Sequence, residues 1–151
     1  MQNFATFMGP HPSGPNTYAI THFVPPTTQL PLIEIVDDTG KYVGAILADP
    51  AKYEGKVFSA ATALYTFTEV VEAMSKVSGK TVTYQQIPLE TWRGFLPPVM
   101  VDYMTDMFLW ISDYGYFGEK TAEEVQWTAG QARGKLTGLE EYLTKHPLSF
   151  E

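Results

Sequence analysis

The tightest constraint on the fold lies between residues 56 and 87, where a short apolar run, an amphipathic segment and an alternating run follow one another. Thr66-x-x-Glu69 is a capping-box pattern, in which a threonine side chain and a glutamate three residues later satisfy each other's free amides. Phe67, Val70, Val71, Met74 and Val77 then recur at three and four residues, the spacing that gathers apolar side chains on one helix face, and Gly79 provides the left-handed stop. Residues 56–61 (KVFSAA) and 81–87 read as flanking strands, the second ended by Pro88. Two more strands are expected at 17–24, ended by Pro25 and Pro26, and at 32–36, with β-branched Ile33, Ile35 and Val36. Residues 9–16 (GPHPSGPN) concentrate proline and glycine and read as an irregular loop after a short N-terminal piece. Asp37 and Asp38 offer caps for a helix whose Val43, Ile46 and Leu47 share a face and which Asp49-Pro50 stops.

From Leu89 onward the pattern is helical. A short piece runs through Phe95, and a longer one follows Pro97-Pro98 with Met100, Met104, Met107, Ile111 and Tyr114 along one side. A third covers 119–129, and a last helix is opened by a second capping box, Thr137-x-x-Glu140, and ended by His146-Pro147. Strands alternating with helices, followed by helices alone, predict an α/β layer with a helical lobe appended, in one domain over 1–151 and without internal repeats.

Charge and composition exclude several functions. A net charge of -7, with Lys and Arg scattered, repels phosphate backbones, so no nucleic-acid partner is expected. The absence of cysteine removes thiol catalysis and thiolate metal sites. His11, His22 and His146 lack ligand spacing, and no metal is expected. The N-terminus has no signal-peptide pattern and the longest purely apolar run, 107–111, is far too short for a bilayer; no membrane association and a soluble cytoplasmic location are expected. No GxGxxG occurs. Gly115 with Gly118 and Gly130 with Gly134 follow no strand, and GQARGK at 130–135 is one residue short of a phosphate loop with Leu136 where Ser or Thr belongs, so it reads as a break between helices.

The segments PLIEIVDDTGKYVGAIL (31–47), Asp49-Pro50, KVFSAA (56–61) and LTGLEEYLTKH (136–146) together resemble the C-terminal half of the NmrA-like family, an atypical short-chain dehydrogenase/reductase group. The resemblance runs from MQNF at the start, an internal segment in the family, to His146. It implies a remnant of a Rossmann-type fold that lacks the N-terminal dinucleotide-binding half, hence no cofactor bound in the family manner. Strands that would extend a parallel sheet in full-length relatives would then leave an edge and an apolar helix face open, and a homodimer or domain-swapped oligomer is expected to cover them.

Candidate chemistry is sparse. Tyr116 and Lys120 match the Tyr-x-x-x-Lys pattern by which many short-chain dehydrogenases transfer a proton, but Gly115 and Gly118 make the segment a turn, and NmrA-like proteins generally lack that tyrosine. His22, on a strand face with Tyr18 and Ile20, is a candidate general acid/base because an ordinary imidazole titrates near neutrality; the resemblance places its segment beside the substrate cleft. Adjacent Asp37 and Asp38 read as caps rather than a catalytic pair, and Asp102, Asp106 and Asp113 as a solvated face. The aromatic and methionine residues of 92–127 exceed what one helix face can bury. Phe4, Trp92, Phe95, Met104, Met107 and Phe108 are the expected walls of an apolar substrate pocket. The expected function is binding of an apolar or aromatic small molecule, with cofactor-independent cyclase, isomerase or dehydratase chemistry of natural-product metabolism as its enzymatic form. The alternatives are a non-enzymatic regulator acting through protein contacts and a fragment of an NAD(P)-dependent oxidoreductase.

Overall fold

The strand candidates at 17–24 and 81–87 find each other. In the computed structural model, which describes residues 1–6 and 8–150, β2 (Thr17–His22) pairs in parallel with β5 (Thr81–Gln86), from Thr17 opposite Thr81 to His22 opposite Gln86. A strand β1 (His11–Gly14) pairs antiparallel on the other side of β2, giving the order β1-β2-β5. A second, two-stranded sheet joins β3 (Gln29–Leu32) and β4 (Ala63–Thr66) antiparallel. The helices are α1 (Ile35–Ala48), α2 (Pro50–Tyr53), α3 (Phe67–Ser78), α4 (Leu89–Arg93), α5 (Val101–Tyr114), α6 (Thr121–Gln131) and α7 (Leu139–Lys145). The fold is mixed α/β with a helical C-terminal lobe, as the pattern predicts.

Helix α3 is built as its sequence reads. Thr66 and Glu69 complete the capping box, and Gly79 closes the helix in the left-handed conformation. Phe67, Val70, Val71 and Met74 are buried against the sheets. Ser75 bonds both backbone groups of Val82, its hydroxyl accepting from the amide at 2.9 Å and donating to the carbonyl at 3.0 Å, and so ties α3 to β5.

Local signals elsewhere were overridden by partners distant in sequence. Residues 9–16 are not an irregular loop, because β2 offers His11–Gly14 a hairpin partner and Asn16 turns the chain with positive φ. The strand expected at 32–36 is Gln29–Leu32, and Ile35 and Val36 already belong to α1. The cap of α1 is Glu34, which accepts from the Asp37 amide, rather than Asp37 or Asp38. The strand expected at 56–61 lies later, at Ala63–Thr66, where β3 pairs with it. Helix α1 buries Tyr42 and Ala45, not the expected stripe, and leaves Val43 and Leu47 outside. Thr137 does not cap α7; Gly138 occupies that position, without a side-chain cap.

Thr137 is engaged elsewhere. The fully buried Asp38 accepts from the Thr137 amide at 2.9 Å and hydroxyl at 3.2 Å, from Lys41 Nζ at 2.7 Å and from Thr62 Oγ1 at 3.3 Å. One carboxylate thus pins α1, the approach to β4 and the approach to α7. Burial alone would raise the Asp38 pKa, but Lys41 and the two Thr137 donors outweigh it and hold the carboxyl below its usual value. Asp38→Asn should therefore cost about 3 kcal/mol at neutral pH, since it leaves buried donors and Lys41 uncompensated. Because the folded pKa is depressed, the wild-type advantage is complete above about pH 4 and shrinks as the pH falls through the folded value. Urea midpoints of both proteins from pH 7 to 2.5 should converge in that acid range.

Candidate functional site

Two open apolar clefts lie side by side across the lobe. The larger, about 810 Å³, is bounded by the end of β2 (Ile20, Thr21, His22), Phe67 of α3, Trp92 of α4 and the segment that leads into α5. The smaller, about 660 Å³, is bounded by Met1, Phe4, the end of β3 and the outer side of α5 with Tyr103 and Met107. Met8, Met104 and Phe108 line both and form the partition. Helix α5 positions that partition: Met104 and Phe108, one turn apart, are buried, while Tyr103 and Trp110 remain outside.

The six expected pocket residues are thereby divided. Trp92 and Phe95 line the larger cleft, Phe4 and Met107 the smaller, and Met104 and Phe108 both. Phe95 stands at the rim with 66% of its surface exposed, whereas Trp92 is buried. Sequence reasoning missed Met8, for which no local signal exists, and also Phe67, Ile87 and Leu96. The last two immediately precede the prolines that end their segments, where an apolar residue has no helical neighbour to hide against and turns to the cleft.

His22 ends β2 and is 5% exposed. Its ring lies among those of Phe23, Phe67, Trp92 and Phe108, with centroids at 5.0, 5.5, 4.6 and 4.3 Å. The Val24 amide donates to Nδ1 at 3.4 Å. Nε2 is the one buried side-chain polar atom among the described residues with no hydrogen-bond partner. Burial in this aromatic surround lowers the His22 pKa to about 4. The imidazole is therefore neutral near pH 7, with Nδ1 as acceptor and the proton on Nε2. The near-neutral titration on which a general acid/base role rests does not hold at this position.

Tyr116 and Lys120 lie on the turn between α5 and α6, not on a helix face. Gly115 and Gly118 have φ of 83° and 94°, and Thr121 Oγ1 holds the turn by accepting from Phe117 N and donating to Gly118 O. Tyr116 lines the smaller cleft, while Lys120 lines neither and sits at the start of α6, solvent-exposed. His11 reaches the rim of the larger cleft, and His146 ends α7 against Tyr142. Asp102 is solvated and pairs with Arg93 at 2.8 Å. No group of three metal-ligating side chains and no helix long and apolar enough to cross a membrane occurs among the described residues.

A dinucleotide pyrophosphate does not fit the helix starts that follow strands. Such a group needs bare amides and a close backbone approach at a helix N-terminus. The start of α1 is occupied by the Glu34 carboxylate, that of α3 by Glu69 within the capping box, and the first turn of the short α4 carries Glu90 behind Pro88. Each junction is already supplied with negative charge.

Comparison with known proteins agrees with this architecture. A model described as the NmrA-like family matches residues 1–143. An NmrA-like family domain-containing protein of Dictyostelium discoideum is 29% identical over 152 aligned positions, covering 95% of this chain and 46% of that protein. An NmrA-like family domain-containing oxidoreductase of Aspergillus flavus is 29% identical over 111 positions, covering 68% of this chain and 32% of that protein. One from Penicillium ochrochloron is 34% identical over 67, covering 44% and 20%. The crystal structure of NmrA, a negative transcriptional regulator, superposes with a TM-score of 0.69 at 20% identity, over 86% of this chain and 43% of that one. The chain thus spans less than half the length of these relatives.

The His22 environment has a measurable acid signature. An unfolded histidine titrates near ~6.5, and the folded one at about 4, so between these values the unfolded chain binds the additional proton. Stability should be complete above about pH 6.5 and fall by up to about 3 kcal/mol as the pH drops to 4. Urea unfolding from pH 7 to 4 should show this slope in the wild type and lose it in His22→Phe. An imidazole resonance titrating near 6.5 in the folded protein would contradict the burial described.

Proposed function

The chain belongs to the NmrA-like family, and on that premise we propose that it holds an apolar, aromatic small molecule in the larger cleft. The observation that carries the reading is the cleft itself. Its volume of about 810 Å³ lies in the range of small-molecule sites, and its walls combine aromatic and methionine side chains with a few polar groups, Thr21, His22 and Gln85. The carboxylates at the helix starts support a ligand without phosphate. Holding a reactive substrate in one conformer beside a neutral donor suits cofactor-independent isomerase, dehydratase or cyclase chemistry.

Thermal-shift titration should separate this from the oxidoreductase reading. Planar aromatic ketones should stabilise the protein, by about 2.7 kcal/mol at a hundredfold excess over Kd, and NAD or NADP should not. Phe95→Ala, at the exposed rim, should weaken the aromatic ligands about tenfold through lost apolar contact while leaving the unfolding midpoint unchanged. Stabilisation by dinucleotide alone would refute the proposal.

A second reading, contact with another protein, is favoured by one feature. Val36, Val43 and Leu47 are 80%, 47% and 71% exposed and recur along α1 with Gly40 at the spacing of a single helix face. We propose that a second copy of the chain covers this face, as a homodimer or through exchange of an element. Light scattering at micromolar concentration should give twice the chain mass, and Leu47→Glu should reduce it to the monomer. A monomeric wild type would overturn the proposal.

A further inference from the structure

The orphaned nitrogen of His22 narrows the class of ligand. Since the Val24 amide occupies the Nδ1 lone pair, the neutral ring presents Nε2–H as a donor, and no protein acceptor meets it among the described residues. A buried donor without a partner is a standing cost that an incoming acceptor removes. The ring lines the larger cleft, and Trp92 and Phe108, the two rings nearest to it at 4.6 and 4.3 Å, line the same cleft. Trp92 and Phe108 themselves stand edge to face at 83°, and both rings flank the imidazole.

We infer that His22 is the specificity-determining donor of the cleft, its Nε2–H bonding a carbonyl oxygen of a planar apolar ligand, such as an aromatic ketone, quinone or lactone, stacked beside Trp92. This deepens the small-molecule reading above and rests on it. Because Nε2 is closed to solvent, the inference requires Phe108 to rotate aside and admit the oxygen while Trp92 stays as the stacking wall, so that the donor is uncovered by ligand rather than by water. The competing account is internal: His22 and Phe108 lie edge to face at 65°, and the N–H can rest on the phenyl face as a weak hydrogen bond.

A matched pair of probes, 9-fluorenone and fluorene, distinguishes the two, because they share a frame and differ in the carbonyl. Dissociation constants are measured by thermal shift for the full chain, His22→Phe and His22→Gln. The preference for ketone over hydrocarbon should be about tenfold greater in the wild type than in His22→Phe, and His22→Gln, which returns an amide donor, should recover much of it. Nitrogen-15 NMR of the wild type provides a readout independent of any variant: the His22 Nε2–H signal should move with fluorenone and not with fluorene. Equal preference in wild type and His22→Phe, or an Nε2 signal indifferent to the ketone while both probes bind, would leave the bond to Phe108 as the whole account and overturn the inference while sparing the cleft. Failure of both probes to bind would instead remove the small-molecule reading and the inference together.

Discussion

The parallel pairing of β2 with β5 is the constraint from which the rest of the structure follows. Two strands separated by nearly sixty residues of chain are held in one register, so everything between them must pack around that seam. Ser75 fixes α3 to β5 through both backbone groups of Val82, and Tyr84 reaches across from β5 to the carbonyl of Val24 at 2.5 Å. The Ile87 amide then bonds the His22 carbonyl, which extends the pairing one residue beyond the strands and delivers the chain into α4 beside His22. A parallel pair requires a crossover, and here the crossover contains β3, α1, α2, β4 and α3. The seam ends at Pro88, which has no amide to donate to the ladder and turns the chain into α4, and the cleft lies at that end.

The helical lobe converts that end into a site. Trp92 and Phe108 come from helices eight residues apart in the chain, yet both turn their rings to His22, since α4 leaves the sheet at the histidine and α5 returns over it. The same enclosure that keeps water from the imidazole makes its charged form unfavourable, so packing and electrostatics have one cause. A neutral ring bonded at Nδ1 is oriented, with its proton on Nε2. Met8, Met104 and Phe108 divide this space from the cleft at Phe4, and methionine, a flexible apolar side chain, holds two of the three positions.

How much of this was legible in the sequence depended on how local the deciding interaction is. Helix α3 was readable to the residue because its cap, its apolar face and its glycine stop are all internal to it. The strand at 81–87 was readable because alternation and Pro88 mark it. Residues 56–61 mimic a strand by composition, but pairing with β3 selects Ala63–Thr66, and a partner as distant as Gln29 is from Thr66 leaves no trace in a local window. Asp37 and Asp38 look equivalent as caps; Glu34 takes that position, and Asp38 is drawn inward by Thr137, ninety-nine residues distant. At the clefts, the aromatic and methionine richness of the lobe was visible in the sequence, while the enclosure of His22 was not. The ordinary pKa of the residue type was visible, whereas the rings of Phe67 and Phe108 that displace it come from other elements.

The distribution of charge supports a division of labour within the fold. Each helix that follows a strand has its own carboxylate at or near its first turn, Glu34, Glu69 and Glu90, so the positive ends of these helix dipoles are satisfied internally. An anionic ligand approaching any of them would meet repulsion before it met amides, and a net charge of -7 adds a long-range term of the same sign. The apolar clefts carry the opposite bias: they reward area removed from water and, at one nitrogen, an uncharged acceptor. The helix starts that follow strands thus keep their amides for the chain's own carboxylates, and the clefts keep an apolar lining.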